Sequence, residues 1–168
     1  MKVLILFLIA SMLFSCTQKS NSTLSEEQKK QIQNEIQTVI AQIHEAAANV
    51  DTTKLYEVFS FADNDFTYVE TSGAFYDKTA YKNMVRQFYA PLKSEMIAKG
   101  TEKYTYLGAA DVLWSYSGAL VATYKNGQEV RYEPFGMSML FRKAGDKWKV
   151  VFLQESTQEH PQTDSTKY

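Results

Sequence analysis

With 168 residues, 45% of them hydrophobic and 22% charged, the chain has the composition of one ordinary globular domain. Its formal net charge is −1 and no Lys/Arg cluster falls on a predicted face, so it lacks the concentrated basic surface that nucleic acid requires. A single cysteine excludes an internal disulfide, and 11 Tyr and 10 Phe must build a self-sufficient core or line a pocket in it.

Residues 1–15 read as a signal peptide rather than as part of the fold. Met1 and Lys2 precede an apolar run, residues 3–14, that is too short and too terminal for an ordinary membrane span. The run ends Leu13-Phe14-Ser15-Cys16, and a small residue just before a cysteine in this setting resembles the lipobox of bacterial lipoproteins. That resemblance implies that Cys16 becomes the acylated first residue and ties the protein to a membrane. Gln18, where an Asp would retain such a protein elsewhere, resembles the outer-membrane sorting pattern, which implies an envelope protein facing the periplasm. An ordinary secretory signal with a stray thiol is the alternative. Residues 16–23 are polar and aperiodic, as a flexible tether would be.

The folded domain is expected over residues 24–156. A helix starts near Ser25, where Ser25 and Gln28 can form a capping box and Thr23 with Glu26 offers an equal alternative. Ile32, Ile36, Val39, Ile40, Ile43, Ala47 and Val50 recur at steps of three and four, one broad stripe that must lie on a sheet. Asn49-Val50-Asp51 breaks this helix, and Asp51 or Thr52 caps a shorter one carrying Leu55, Val58 and Phe59. Residues 62–65 form a polar corner in which Asp63 and Asp65 read as a turn device. Residues 66–70 form a strand that turns through Gly73 into residues 74–76. Asp77 or Thr79 caps a third helix with Tyr81, Met84, Val85 and Phe88 inward. This helix is expected to bend or restart at Pro91 and to end at Gly100.

Strand signals then dominate. A strand over residues 104–114 leads to a turn at 115–118, a strand over 119–124 and the Asn126-Gly127 hairpin marker. A long hairpin over residues 129–156 closes the domain, with Phe135, Met137, Met139 and Phe141 alternating on one arm and Gly145 in the turn. Residues 157–168 form a polar tail.

This order of elements resembles the nuclear transport factor 2-like superfamily, in particular its SnoaL-like branch. The resemblance rests on the break at Asn49-Val50-Asp51, on residues 61–69 and on residues 145–152. It implies an α+β fold in which a cone-shaped, curved antiparallel sheet packs on three N-terminal helices and encloses a pocket. Some members of the superfamily place a carboxylate base and proton-donating Tyr or Asp groups there; others bind ligands without chemistry or only dimerise. SnoaL-like members often carry a His in the last strand, whereas this chain has Phe152 and Gln154 in that neighbourhood, neither of which titrates.

Strand parity selects the candidate pocket. Phe66, Tyr68 and Glu70 share one face, as do Trp148, Val150, Phe152, Gln154 and Ser156. Arg131 and Glu133 share parity with Phe135 and Met137 unless Pro134 forces a bulge and flips them. The lining expected is thus Tyr68, Glu70, Trp114, Arg131, Glu133, Phe135, Met137, Trp148, Phe152 and Gln154. Glu70 or Glu133 would act as base and Tyr68 as hydrogen-bond donor if there is catalysis, although a solvent-rim position for both glutamates is the plainer reading. His44 sits at the edge of the first helix's stripe as a packing residue and His160 in the tail; their spacing gives no metal site, and no cofactor motif is present. Val150-Val151-Phe152-Leu153 is apolar on both faces, which suggests a homodimer packed sheet to sheet through Val151, Leu153 and Leu140. The reading that follows is a lipid-anchored envelope protein that binds a small apolar or aromatic ligand without catalysis. The alternatives are an isomerase, cyclase or hydrolase using a pocket carboxylate, and a dimeric interaction module whose pocket is filled by its own side chains.

Overall fold

The computed structural model describes residues 24–60 and 66–157. The expected signal peptide with Cys16, the expected tether, the expected corner with Asp63 and Asp65, and the expected tail with His160 lie outside the described residues.

Helix α1 (Glu26–Ala48) begins with the Ser25/Gln28 capping box: Ser25 Oγ accepts from the Gln28 N–H at 3.1 Å, and Gln28 Oε1 accepts from the Ser25 N–H at 2.8 Å. Its stripe buries Ile32, Ile36, Ile40, Ile43, Ala46 and Ala47. After Val50, which takes a left-handed φ of 54°, Asp51 caps α2 (Thr52–Glu57) by accepting from the Thr53 and Lys54 N–H groups. The chain leaving α2 pairs briefly with the last strand, where the Val150 N–H donates to the Val58 carbonyl. Strands β1 (Thr67–Val69) and β2 (Phe75–Tyr76) form the small hairpin, and Asp77 caps α3 (Lys78–Tyr89).

Beyond Tyr89 the structure departs from the expected continuation of the helix. Pro91 has no N–H to give a further turn, and Leu92–Ile97 forms strand β3 instead. Its backbone groups are satisfied by antiparallel pairing with β5, from Leu92 opposite Tyr124 to Ile97 opposite Leu120. Strand β4 (Thr101–Tyr106) pairs with the other half of β5, so the expected strand over residues 104–114 is divided by a bend at 107–110. No turn occurs at residues 115–118. Strand β5 (Asp111–Tyr124) runs straight through them, because Gly118 serves a close approach rather than a reversal. The Tyr116 ring folds back over Gly118, its hydroxyl donating to the Ala98 carbonyl at 2.6 Å and accepting from the Ala119 N–H at 3.0 Å. A Cβ at Gly118 would collide with that hydroxyl.

Strands β6 (Glu129–Ala144) and β7 (Lys147–Thr157) are the long hairpin, turning at Gly145 with φ 64°. The curved, unclosed sheet has the order β2-β1-β7-β6-β5-β3 with β4 beside β5. It is mixed rather than wholly antiparallel, since β1 runs parallel to β7.

Two irregularities decide which side chains face inward. On β6, Tyr132 lies opposite Leu120 and Phe135 opposite Gly118, so Glu133 and Pro134 together face Ala119. Proline cannot donate to the ladder, and a bulge absorbs the extra residue. On β7, Phe141 lies opposite Val150 and Leu140 opposite Phe152, leaving Val151 without a partner of its own. Alternation therefore reverses at both points. Leu153 and Glu155 turn inward, and Phe152 and Gln154 turn to the outer face.

Helix α1 closes the inner face at the hairpin end. Trp148 Nε1 donates to Glu35 Oε2 at 2.7 Å and Lys143 Nζ pairs with the same oxygen at 2.9 Å. These two bonds, Trp148's first, hold the Glu35 carboxyl below its ordinary pKa. Ile36 on the helix and Val112, Trp114, Met139, Phe141 and Val150 beneath it are wholly buried.

Candidate functional site

The sheet's other end is not filled. There a cavity of about 260 Å³ opens between α3 and the inner face, lined by side chains from α3 and from every strand except β2 and β4, together with the turn that follows β1. Strand β1 presents Tyr68, and Glu70 and Thr71 follow it. Helix α3 presents Tyr81, Met84, Val85, Phe88 and Tyr89, which fall at helical steps on one side. Strand β3 contributes Glu95, β5 Leu120, β6 Tyr132 and Phe135, and β7 Glu155 and Thr157. Rings pack around the inner wall: Tyr81 lies 5.2 Å from Tyr68 and 5.0 Å from Phe66, centroid to centroid.

The polar groups form tyrosine–glutamate pairs. The Tyr68 hydroxyl donates to Glu155 Oε2 at 2.8 Å, and the Tyr89 hydroxyl donates to Glu95 Oε2 at 2.7 Å. At the rim, Glu70 Oε2 accepts from Ser72 Oγ at 2.7 Å and from the Tyr76 hydroxyl at 3.2 Å. Burial pushes the Glu95 carboxyl up to about 7, the nearby charge of Glu155 adding to the rise and the Tyr89 bond opposing it. Burial likewise raises Glu155, with the charge of Glu70 adding and the Tyr68 bond opposing. The Tyr68, Tyr81 and Tyr89 hydroxyls are pushed far above their usual value by burial and by these carboxylates, so all three remain protonated donors at any physiological pH. Among the described residues no Lys, Arg or His lines the cavity. None of their His, Cys, Asp and Glu side chains form a group of three suited to a metal ion.

Three of the ten lining residues expected from strand parity are found there: Tyr68, Glu70 and Phe135. The bulge at Pro134 moves Arg131 and Glu133 to the exposed face, where they pair with each other at 2.6 Å, and brings Tyr132 into the cavity in their place. The slip at Val151 sends Gln154 to solvent and Phe152 to the outer face, and turns Glu155 inward. Trp114, Met137 and Trp148 are buried but belong to the core rather than to the cavity. Trp114 Nε1 donates to Glu102 at 3.1 Å, as Trp148 does to Glu35. His44 lies outside the cavity, its buried Nε2 without a partner and its pKa lowered by burial.

Sequence reasoning missed both half-buried carboxyls, Glu95 and Glu155. Glu95 sits in a stretch read as helix. Glu155 has the wrong parity unless a bulge is placed in the doubly apolar run Val150-Val151-Phe152-Leu153, and that run was the available signal.

The sequence profile of the SnoaL-like domain matches residues 36–158. No curated protein matches the chain. Among solved structures, the hexachlorocyclohexane dehydrochlorinase LinA-type3 from Novosphingobium barchaimii LL02 superposes with a TM-score of 0.65 at 9% identity, over 80% of this chain and 92% of that one. A nuclear transport factor 2-like superfamily protein from Salmonella enterica serovar Typhimurium LT2 superposes with a TM-score of 0.64 at 13% identity, over 82% and 98%. A nuclear transport factor 2-like protein of unknown function from Prochlorococcus sp. NATL2A gives 0.56 at 22% identity, over 82% and 97%. At these identities the likeness is one of fold.

Because the folded Glu95 carboxyl binds its proton more tightly than an unfolded one, it contributes stability at low pH that is lost as pH rises from about 4.5 through about 7. The amide of Glu95→Gln keeps an acceptor for Tyr89 and carries no charge. This variant should therefore melt several degrees above the wild type at pH 8, an effect of roughly 2 kcal/mol, and within a degree of it at pH 4. Differential scanning calorimetry at the two pH values reads the difference; equal offsets at both would contradict the burial of that carboxyl.

Proposed function

Taking as premise that this chain belongs to the SnoaL-like domain family, we propose that it binds a small ligand with a largely aromatic or apolar body and one polar end. The observation that carries this reading is the pairing of Tyr68 with Glu155 and of Tyr89 with Glu95 in one cavity that aromatic and aliphatic side chains also line. Met84, Val85, Phe88, Leu120 and Phe135 supply apolar area for the body, and the two carboxyl groups fix the polar end. The expected experiment is native mass spectrometry of the protein purified from its own host. Wild type should carry a small molecule, and Leu120→Trp, which fills the cavity, should be empty at an unchanged melting temperature. Equally empty preparations of wild type and variant would contradict the reading.

A second reading, proton transfer on the bound ligand, is favoured by one observation. Glu95 is held near 7, where a carboxyl can both accept and return a proton at neutral pH. This base replaces the candidates Glu70 and Glu133, the second of which stands exposed beside Arg131. Exchange of carbon-bound protons of the co-purified molecule in deuterated water would then slow about a hundredfold in Glu95→Gln. Unchanged exchange, or none in either protein, leaves binding alone.

Two features of the whole protein complete the proposal. Leu13-Phe14-Ser15-Cys16 supports a lipid-anchored envelope protein facing the periplasm, and radiolabelled palmitate should enter the wild type but not Cys16→Ser. Label in both would remove the anchor. For a homodimer, the outer sheet face offers Leu113, Leu140 and Phe152 in one transverse row, beside Val151; Leu153, which turns inward, drops out of the expected contact. Light scattering on residues 20–168 should give twice the chain mass, falling to the monomer in Leu140→Lys; a monomeric wild type would contradict it.

A further inference from the structure

We infer that the ligand of this cavity is an organic cation: an ammonium group carried on an aromatic or alicyclic body. The inference rests on the binding function proposed above and names the chemical class that the cavity selects. Three glutamates line it, Glu70 at the rim with Glu95 and Glu155 within, and no described cationic side chain lines it to balance them. Each inner carboxyl has one oxygen engaged by a tyrosine hydroxyl, at 2.8 Å for Glu155 and 2.7 Å for Glu95. The second oxygen of each has no hydrogen bond from a described residue, and neither is a buried atom lacking a partner, so both are reached from the cavity. Those two oxygens ask for donors, and no described residue brings one.

The rest of the lining points the same way by an independent route. Tyr68, Tyr81, Phe88, Tyr89, Tyr132 and Phe135 surround the space with aromatic rings. Ring faces carry negative electrostatic potential and attract desolvated ammonium groups, whereas they offer nothing to an anion. A carboxylate ligand would meet three like charges and would have to bind as its neutral acid. A neutral alcohol could donate one hydrogen bond but would leave the second carboxyl oxygen unmet. A primary ammonium has three donors, more than the two oxygens require. It also supplies a positive charge beside two half-buried carboxyl groups whose pKa values burial raises.

The test uses three soluble probes of one shape and different charge on the full chain: phenethylammonium, phenethyl alcohol and phenylacetate, measured by titration calorimetry at pH 8. Phenethylammonium should bind at least tenfold more tightly than the alcohol, and phenylacetate more weakly than either. In Glu155→Gln the advantage of the ammonium over the alcohol should shrink by about tenfold, with the alcohol's own affinity little changed. If the alcohol binds as well as the ammonium, or phenylacetate binds best, the cationic class is overturned while the binding function stands. If none of the three binds, both fall. The wild-type ranking decides the matter even if the variant does not fold.

Discussion

A strand sends alternate side chains to opposite faces, and only an inserted residue can exchange them. In this protein the insertion at Val151 is the constraint on which the cavity depends. Upstream of it, Trp148 and Val150 face α1 and complete the core. Downstream, Leu153 and Glu155 take over the inner face, so the last strand builds a dry core with one half and a charged cavity wall with the other. Without the slip, Gln154 would face α3 and the sheet would present no carboxyl to Tyr68. The bulge at Pro134 acts in concert on the neighbouring strand. It withdraws Arg131 and Glu133 to solvent and replaces a pair of opposite charges with the ring of Tyr132. Both irregularities remove a polar or cationic competitor from the space that the carboxyl pair occupies.

The two ends of the domain differ in how they treat buried polarity. At the hairpin end, Glu35 meets the Trp148 indole and the Lys143 ammonium, and its charge is matched. A matched carboxylate holds an element in place, and here it fixes α1 to the turn of the long hairpin. At the cavity end, the described partners of Glu95 and Glu155 are tyrosine hydroxyls, and the charges bearing on them are those of other carboxylates, Glu155 on Glu95 and Glu70 on Glu155. Leaving half-buried carboxyl groups unbalanced is destabilising, and such arrangements are characteristic of sites rather than of scaffolds. The contrast assigns scaffold work to the first end and recognition to the second.

Much of the fold was legible in the sequence, and the reasons are local. The Ser25/Gln28 capping box and the isoleucine stripe from Ile32 to Ile43 obey the helical period, and Phe135 to Phe141 obeys the strand period with Gly145 to turn it. What local pattern could not supply is pairing. Residues 92–97 carry Leu, Met and Ile at spacings compatible with helix or strand, and only the open half of β5 decides for a strand. Gly118 reads as a turn because the ring of Tyr116 that needs its missing Cβ is brought there by the folded strand. The candidate site suffered most, because a one-residue slip reverses every assignment after it. Tyr68, Glu70 and Phe135 survived since no bulge separates them from the apolar residues that set their parity.

Two carboxyl groups share an aromatic cavity in which no described side chain supplies a balancing positive charge. Carbon-detected NMR titration of the glutamate side-chain carboxyls, in protein freed of bound small molecules, tests it most directly. The account predicts that the Glu95 resonance moves at a pH of about 7 and that Glu155 also titrates above its ordinary value of 4.5. Two resonances moving together at 4.5, as solvent-facing carboxylates do, would contradict it.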